Sequence, residues 1–133
     1  MNKRDLNLKK YGISGKRYKE LCGFCEQYPE WKEELRNYSF LKGKDLDGMP
    51  RGSVCGDSTA ESAIRIEKLL SRCSLVEKTA RLADEDMWQF IIKAVCYNVP
   101  LSYLQTQENM HISRNAFYER RRYFFFLLDK EKE

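Results

Sequence analysis

The stretch MHISRNAFYERRRYFFFLL, residues 110–128, decides how the rest of the chain is read. Ser113 precedes a long run without Gly or Pro, so its hydroxyl is placed to accept a hydrogen bond from a free amide at a helix start. Ile112 can plug a core before the turn, and Phe117 can anchor the new helix from its first full turn. Advancing about 100° per residue from an inward Phe117 turns Phe124 and Leu128 inward as well. The same wheel sends Asn115, Tyr118 and Arg122 outward, with Arg114 at their flank. The second half of the helix differs in kind. Tyr123, Phe124, Phe125, Phe126, Leu127 and Leu128 are apolar on every side, so more than one face must be covered. Either an N-terminal helical hairpin or a second copy of the chain can provide that cover.

Working outward, Pro100 opens a short helix that reaches about Gln107, and Glu108 and Asn109 supply the turn after it. Asp84 caps the preceding helix, where Met87, Trp88, Ile91, Ile92 and Val95 form a broad apolar stripe that stops at Asn98 and Pro100. Ser58 and Glu61 read as a capping box, which opens a long helix carrying Ala63, Ile66, Leu70, Cys73, Val76, Ala80 and Ala83 on one side. At the other end, a helix from about Lys16 aligns Tyr18, Leu21, Cys22 and Cys25. Tyr28 and Pro29 close it, and Pro29 begins a second helix with Trp31, Leu35 and Tyr38 at helical spacing. Between them and the long helix lie Gly43, Gly48, Pro50, Gly52 and Gly56 with no periodicity, a loop and the main internal boundary. The expected layout is a basic arm (1–15), a hairpin (16–38), a loop (39–57) and a helical bundle (58–133) whose last helix pair spans about 100–129. No strand pattern competes, and the expected fold class is all-α.

The whole chain is 133 residues, enough for one domain with an apolar core, and its 42% hydrophobic content excludes a disordered or low-complexity class. No apolar run is long enough to span a membrane, and the first residues lack the apolar segment of a secretory signal. A cytoplasmic setting is expected, and five cysteines, an odd number at irregular spacing, suit reduced thiols. The net charge of +4 is unevenly spread. Residues 1–19 carry seven Lys or Arg against one acid, the middle of the chain is net acidic, and Arg114, Arg120, Arg121 and Arg122 cluster near the end with one acid, Glu119. Positive charge at both ends suits a polyanion, although such runs are often only solvated faces.

Residues 110–119 resemble the turn and recognition helix of a helix-turn-helix DNA-binding unit. His111 stands where that pattern usually has Gly, and Leu101 and Leu104 must supply the apolar contacts of its first helix, which implies a longer turn. What the resemblance implies is contact with double-stranded DNA. Arg114, Asn115, Tyr118 and Arg122 are the candidates for base or groove contact, because Arg suits guanine, Asn suits adenine and Tyr suits a phosphate or a thymine methyl. Ser113 caps the helix, and Arg121 together with Lys9, Lys10, Lys16 and Arg17 would hold phosphates.

The wider arrangement resembles small prophage transcriptional regulators of Firmicutes, of the RinA/ArpU type. The resemblance rests on Tyr28-Pro-Glu-Trp-Lys32, Asp47-Gly-Met-Pro-Arg-Gly52, the long helix after Ser58, and Phe117-Tyr-Glu-Arg-Arg-Arg-Tyr-Phe-Phe125. It implies an activator of late genes that binds promoter DNA through a C-terminal sigma-like helix-turn-helix, with RNA polymerase as a further possible contact. A homodimer would suit two half-sites about 34 Å apart. Two other classes share these features: a DNA-packaging subunit of the small-terminase kind, and a helical protein-interaction module that leaves DNA alone.

Other motifs read as structure. Cys22-Gly-Phe-Cys25 has C-x-x-C spacing but lies within a helix on its apolar face, away from the helix start where thiols are activated. Zinc would need a second pair, while Cys55, Cys73, Cys96 and the one histidine, His111, stand singly. Asp84-Glu-Asp86 suits a helix start, and Gly48-Met-Pro-Arg-Gly52 lacks the spacing of a phosphate loop. No metal, cofactor or catalytic residue is expected, and the chain reads as a binding protein and not an enzyme.

Overall fold

A computed structural model describes residues 8–45 and 56–132. The described residues are all helical, with no strand among them. A short 3-10 turn (Lys9–Tyr11) leads into α1 (Gly15–Glu26) and α2 (Tyr28–Asp45). The long α3 (Gly56–Ala83) follows, then α4 (Trp88–Cys96), α5 (Leu101–Gln107) and α6 (Arg114–Glu131).

Local chemistry sets most of these boundaries. Ser14 is the N-cap of α1, accepting from the amide of Arg17 at 3.2 Å. Gly12, at φ +76°, makes the reversal that brings the Ile13 amide back onto the Leu8 carbonyl. The α3–α4 turn is held by Asp84, whose Oδ1 accepts from the amides of Asp86 (2.9 Å) and Met87 (3.1 Å). Asn98 (φ 57°) and Asn109 (φ 56°) take the left-handed conformation beyond the ends of α4 and α5, which their short polar side chains tolerate.

Three boundaries differ from those expected. α4 begins at Trp88 with Met87 as its N-cap, so Asp84 closes the turn before that helix instead of capping it. The hairpin's second helix does not stop at 38 but continues through Asp45, so the expected loop begins later than residue 39. Gly43 is the only breaker in that segment, and a single glycine costs a helix about 1 kcal/mol without ending it. At the far side α3 starts at Gly56, so Ser58 sits inside its first turn rather than capping it. The rest of the expected loop, with Gly48 to Gly52, lies outside the described residues, as does the arm before Leu8.

α3 packs against α2, α4 and α6, and α1 closes the other side against α4, α6 and α2. The buried line along α3 is Leu69, Cys73, Val76, Ala80 and Ala83. Leu70, expected on that line, is 53% exposed, because Leu69 holds the register one residue earlier. α4 buries Ile91, Ile92, Ala94, Val95 and Cys96, and α6 contributes Phe117, Phe124, Phe125 and Leu128, each fully buried.

The girth of the second half of α6 is met within one chain. Tyr18 of α1 meets Phe125 edge-on with ring centroids 5.1 Å apart, and Tyr11 of the 3-10 turn lies 5.0 Å from Phe126. Leu8 and Ile13 are buried beside them. Of the two covers open from sequence, the N-terminal segment supplies one for Phe125 and Phe126, while Tyr123 stays 40% exposed.

Candidate nucleic-acid interface

α6 is positioned from its first residue. Ser113 Oγ accepts from the amide of Ala116 at 3.1 Å, and its carbonyl receives the amide of Phe117 at 2.9 Å. Leu104 of α5 and Met110 of the turn are buried beneath it, and the Met110 amide bonds back to the Leu104 carbonyl at 3.0 Å. Gln105 Nε2 donates to the carbonyl of Ile112 at 3.1 Å, tying α5 to the residue before the cap. α5 and the turn before α6 are thus tied together by hydrogen bonds, with Leu104 and Met110 buried in the core. Leu101 and Leu104 supply the contacts expected of them, Leu104 fully and Leu101 in part.

With Phe117, Phe124 and Leu128 facing the core, Arg114 and Asn115 are exposed and Tyr118 is half-buried. Arg122 lies along the surface with 25% of its side chain exposed, and its Nη1 donates to Glu119 Oε2 at 3.1 Å. Asn115 and Arg122 therefore lie on the side of α6 away from its buried phenylalanines, while Arg114 and Tyr118 flank them on the edge where Phe125 is buried.

The expected phosphate-holding residues divide. Lys10 is 58% exposed and reaches Glu119 Oε1 at 3.4 Å, and Lys16 is exposed at the start of α1. The side chain of Lys9 lies outside the described part. Arg17 is corrected out of this group. Its Nε donates to Asp129 Oδ1 at 2.6 Å and its Nη2 to the carbonyls of Asp129 and Lys132, so the guanidinium finishes the C-terminal end of α6. Arg121 is corrected as well. It turns toward α1 and α4, beside Tyr18, Cys22, Val95 and Phe125 around a hollow of about 280 Å³, with its Nε buried and without a hydrogen-bond partner. Arg120 is structural, donating to Asp84 Oδ2 at 2.7 Å across to the α3–α4 turn. Of the four clustered arginines, then, only Arg114 and Arg122 lie along the open side of α6.

Three residues of α5, the turn and α6 were not among the contact candidates from sequence. Tyr103 is 50% exposed on α5, and His111 is exposed in the turn. With Leu101 and Leu104 fixed inward, the wheel of α5 leaves Ser102, Tyr103 and Thr106 outward, so Tyr103 had a readable signal. Glu119 was noted only as the one acid among the arginines. Its carboxylate in fact links Lys10 and Arg122.

Among the described thiols, Cys25, Cys73 and Cys96 are buried. Cys25 is fully buried, and its neighbour Cys96 together with burial pushes its thiol well above the ordinary range, the reverse of an activated nucleophile. Among the described residues no group of three or more His, Cys, Asp or Glu side chains is placed to hold a metal ion. None of the described helices is long and apolar enough to cross a membrane.

No protein-family model, curated protein or solved structure matches this chain.

Proposed function

We propose that this protein is a sequence-specific DNA-binding transcription regulator that reads double-stranded DNA through α5, the turn and the first turns of α6. One observation carries the reading. A Ser113-capped helix, braced from behind by fully buried Phe117, Phe124 and Leu128, leaves Arg114 and Asn115 exposed on its first turn, with Tyr118 half-buried beside them. A recognition helix needs that division between a rigid inner side and a polar outer side, and it uses its N-terminal residues on base edges. The positive end of the α6 dipole adds to the pull on phosphates.

In this reading Arg114, Asn115, Tyr118 and Arg122 face the groove, and Lys10 and Lys16 hold phosphates beside it. The resemblance to prophage regulators extends it to cytoplasmic activation of late genes, with RNA polymerase and a second copy of the chain as partners. Gel-shift binding to duplexes flanking its own gene, at two salt concentrations, tests the core of it. Specific binding should weaken as salt rises, because neutralised phosphates release counterions. Arg114→Ala should cost about 1 to 3 kcal/mol at the preferred duplex and much less on unrelated DNA. Binding that ignores sequence, salt and Arg114 alike would overturn the proposal. Molar mass in solution addresses the packaging alternative, since a ring of many subunits would favour it over a regulator.

A further inference from the structure

Glu119 is an unusual residue to find on a surface that meets DNA. It lies two positions past the buried Phe117, about 200° around the helix, and so faces directly away from the core. It is 49% exposed and continues the line of Asn115 and Arg122. Each oxygen of its carboxylate is held by a different cation: Oε1 by Lys10 of the N-terminal 3-10 turn at 3.4 Å, and Oε2 by Arg122 at 3.1 Å. Partners from two segments far apart in the chain fix the carboxylate in place, so its remaining lone pairs point in set directions.

On the reading that this side of α6 meets DNA, we propose that Glu119 is a specificity-determining residue and that it selects cytosine. A carboxylate has only acceptor oxygens and a negative charge. It gains nothing from phosphates, and the acceptors of guanine O6 and thymine O4 repel it. Two donors remain in the major groove, the amino groups of cytosine and adenine. Adenine sets its N7 acceptor beside that donor, facing a carboxylate oxygen, whereas cytosine offers only a C–H there. Cytosine is therefore the base that a fixed carboxylate tolerates best. Arg122, held against the same carboxylate, brings donors for the O6 and N7 of a guanine next to it. The selection works largely by penalty: the acid lowers affinity for every other sequence, which is how discrimination is often achieved.

The test is selection of binding sites from a randomised duplex library by the wild-type protein, Glu119→Ala and Lys10→Ala. Exposed positions in a helix tolerate both changes, and circular dichroism verifies the fold. The wild type should enrich sites with one fixed cytosine. Glu119→Ala should lose roughly 5- to 100-fold of discrimination at that one position while keeping the rest of the motif. Its binding to unrelated DNA should rise, because an anion has been removed. Lys10→Ala should weaken binding to all sequences and should relax the cytosine position less than Glu119→Ala does, because Arg122 still holds Oε2. If Glu119→Ala enriches the same cytosine, or shifts all sequences by one factor, the assignment to Glu119 fails while the DNA reading stands. If the wild type enriches no motif, both fall together.

Discussion

At the scale of single residues, Ser113 has a small role of known size. Its hydroxyl satisfies one amide that α6 would otherwise leave open, and losing such a cap costs about 1 kcal/mol. Ser113→Ala should lower the free energy of unfolding by about that much in a urea titration. Ser113→Asp should restore it, since an aspartate also accepts from the amide and suits the positive end of the helix. Equal midpoints for wild type and Ser113→Ala would show that the cap contributes nothing here. Ser113 and Phe117 could be assigned from sequence because their roles depend on neighbours within one or two turns. Arg17 and Arg121 could not. The partner of Arg17 is Asp129, 112 positions away, and Arg121 is turned aside by helices whose placement no local spacing encodes.

Between elements, the joints are made by side chains that no sequence motif marks. Tyr28, at the start of α2, is buried and donates its hydroxyl to Glu77 of α3, while Lys32 reaches the same carboxylate at 3.5 Å. Burial, and then the bond to Glu77, raise the Tyr28 phenol far above its ordinary value of 10.0. The sign follows from linkage. Above pH 10 the unfolded chain loses this proton and the folded chain retains it, so alkali favours unfolding. The stabilisation is complete below pH 10 and is lost as pH rises beyond it. Urea midpoints at pH 8 and pH 11 should therefore fall more steeply for wild type than for Tyr28→Phe, which has no phenol to ionise. Parallel declines would remove Tyr28 as the cause. The α3–α4 joint depends on Asp84, which closes the turn and also receives Arg120. Although Met87 and not Asp84 is the N-cap of α4, a helix start close after Asp84 was legible, because a short acid before an apolar run signals one. The bond of Asp84 to Arg120 was not, and neither was the extension of α2 to Asp45. A lone Gly43 resembles a stop in sequence, although its cost is small for a helix of 18 residues.

For the molecule as a whole, the all-helical class was written in periodicity, and the cover over α6 was the open question. The answer gives the N-terminal segment two separable roles. Leu8 and Ile13 are buried in the same core as Phe124 and Phe125, while Lys10 between them stays in solvent beside Glu119. Leu8→Ala or Ile13→Ala should each destabilise the fold by about 2 to 5 kcal/mol, the range for truncating a large buried aliphatic side chain. Lys10→Ala should leave the free energy of unfolding within about 0.5 kcal/mol of wild type, as surface substitutions usually do. The same change should reduce the slope of log K against log salt by roughly 1, the signature of one lost phosphate contact. This pair of measurements separates a segment that only closes the core from one that also holds DNA. An unchanged salt slope in Lys10→Ala would confine the N-terminal segment to packing, and the phosphate grip would then have to come from α6 and Lys16 alone.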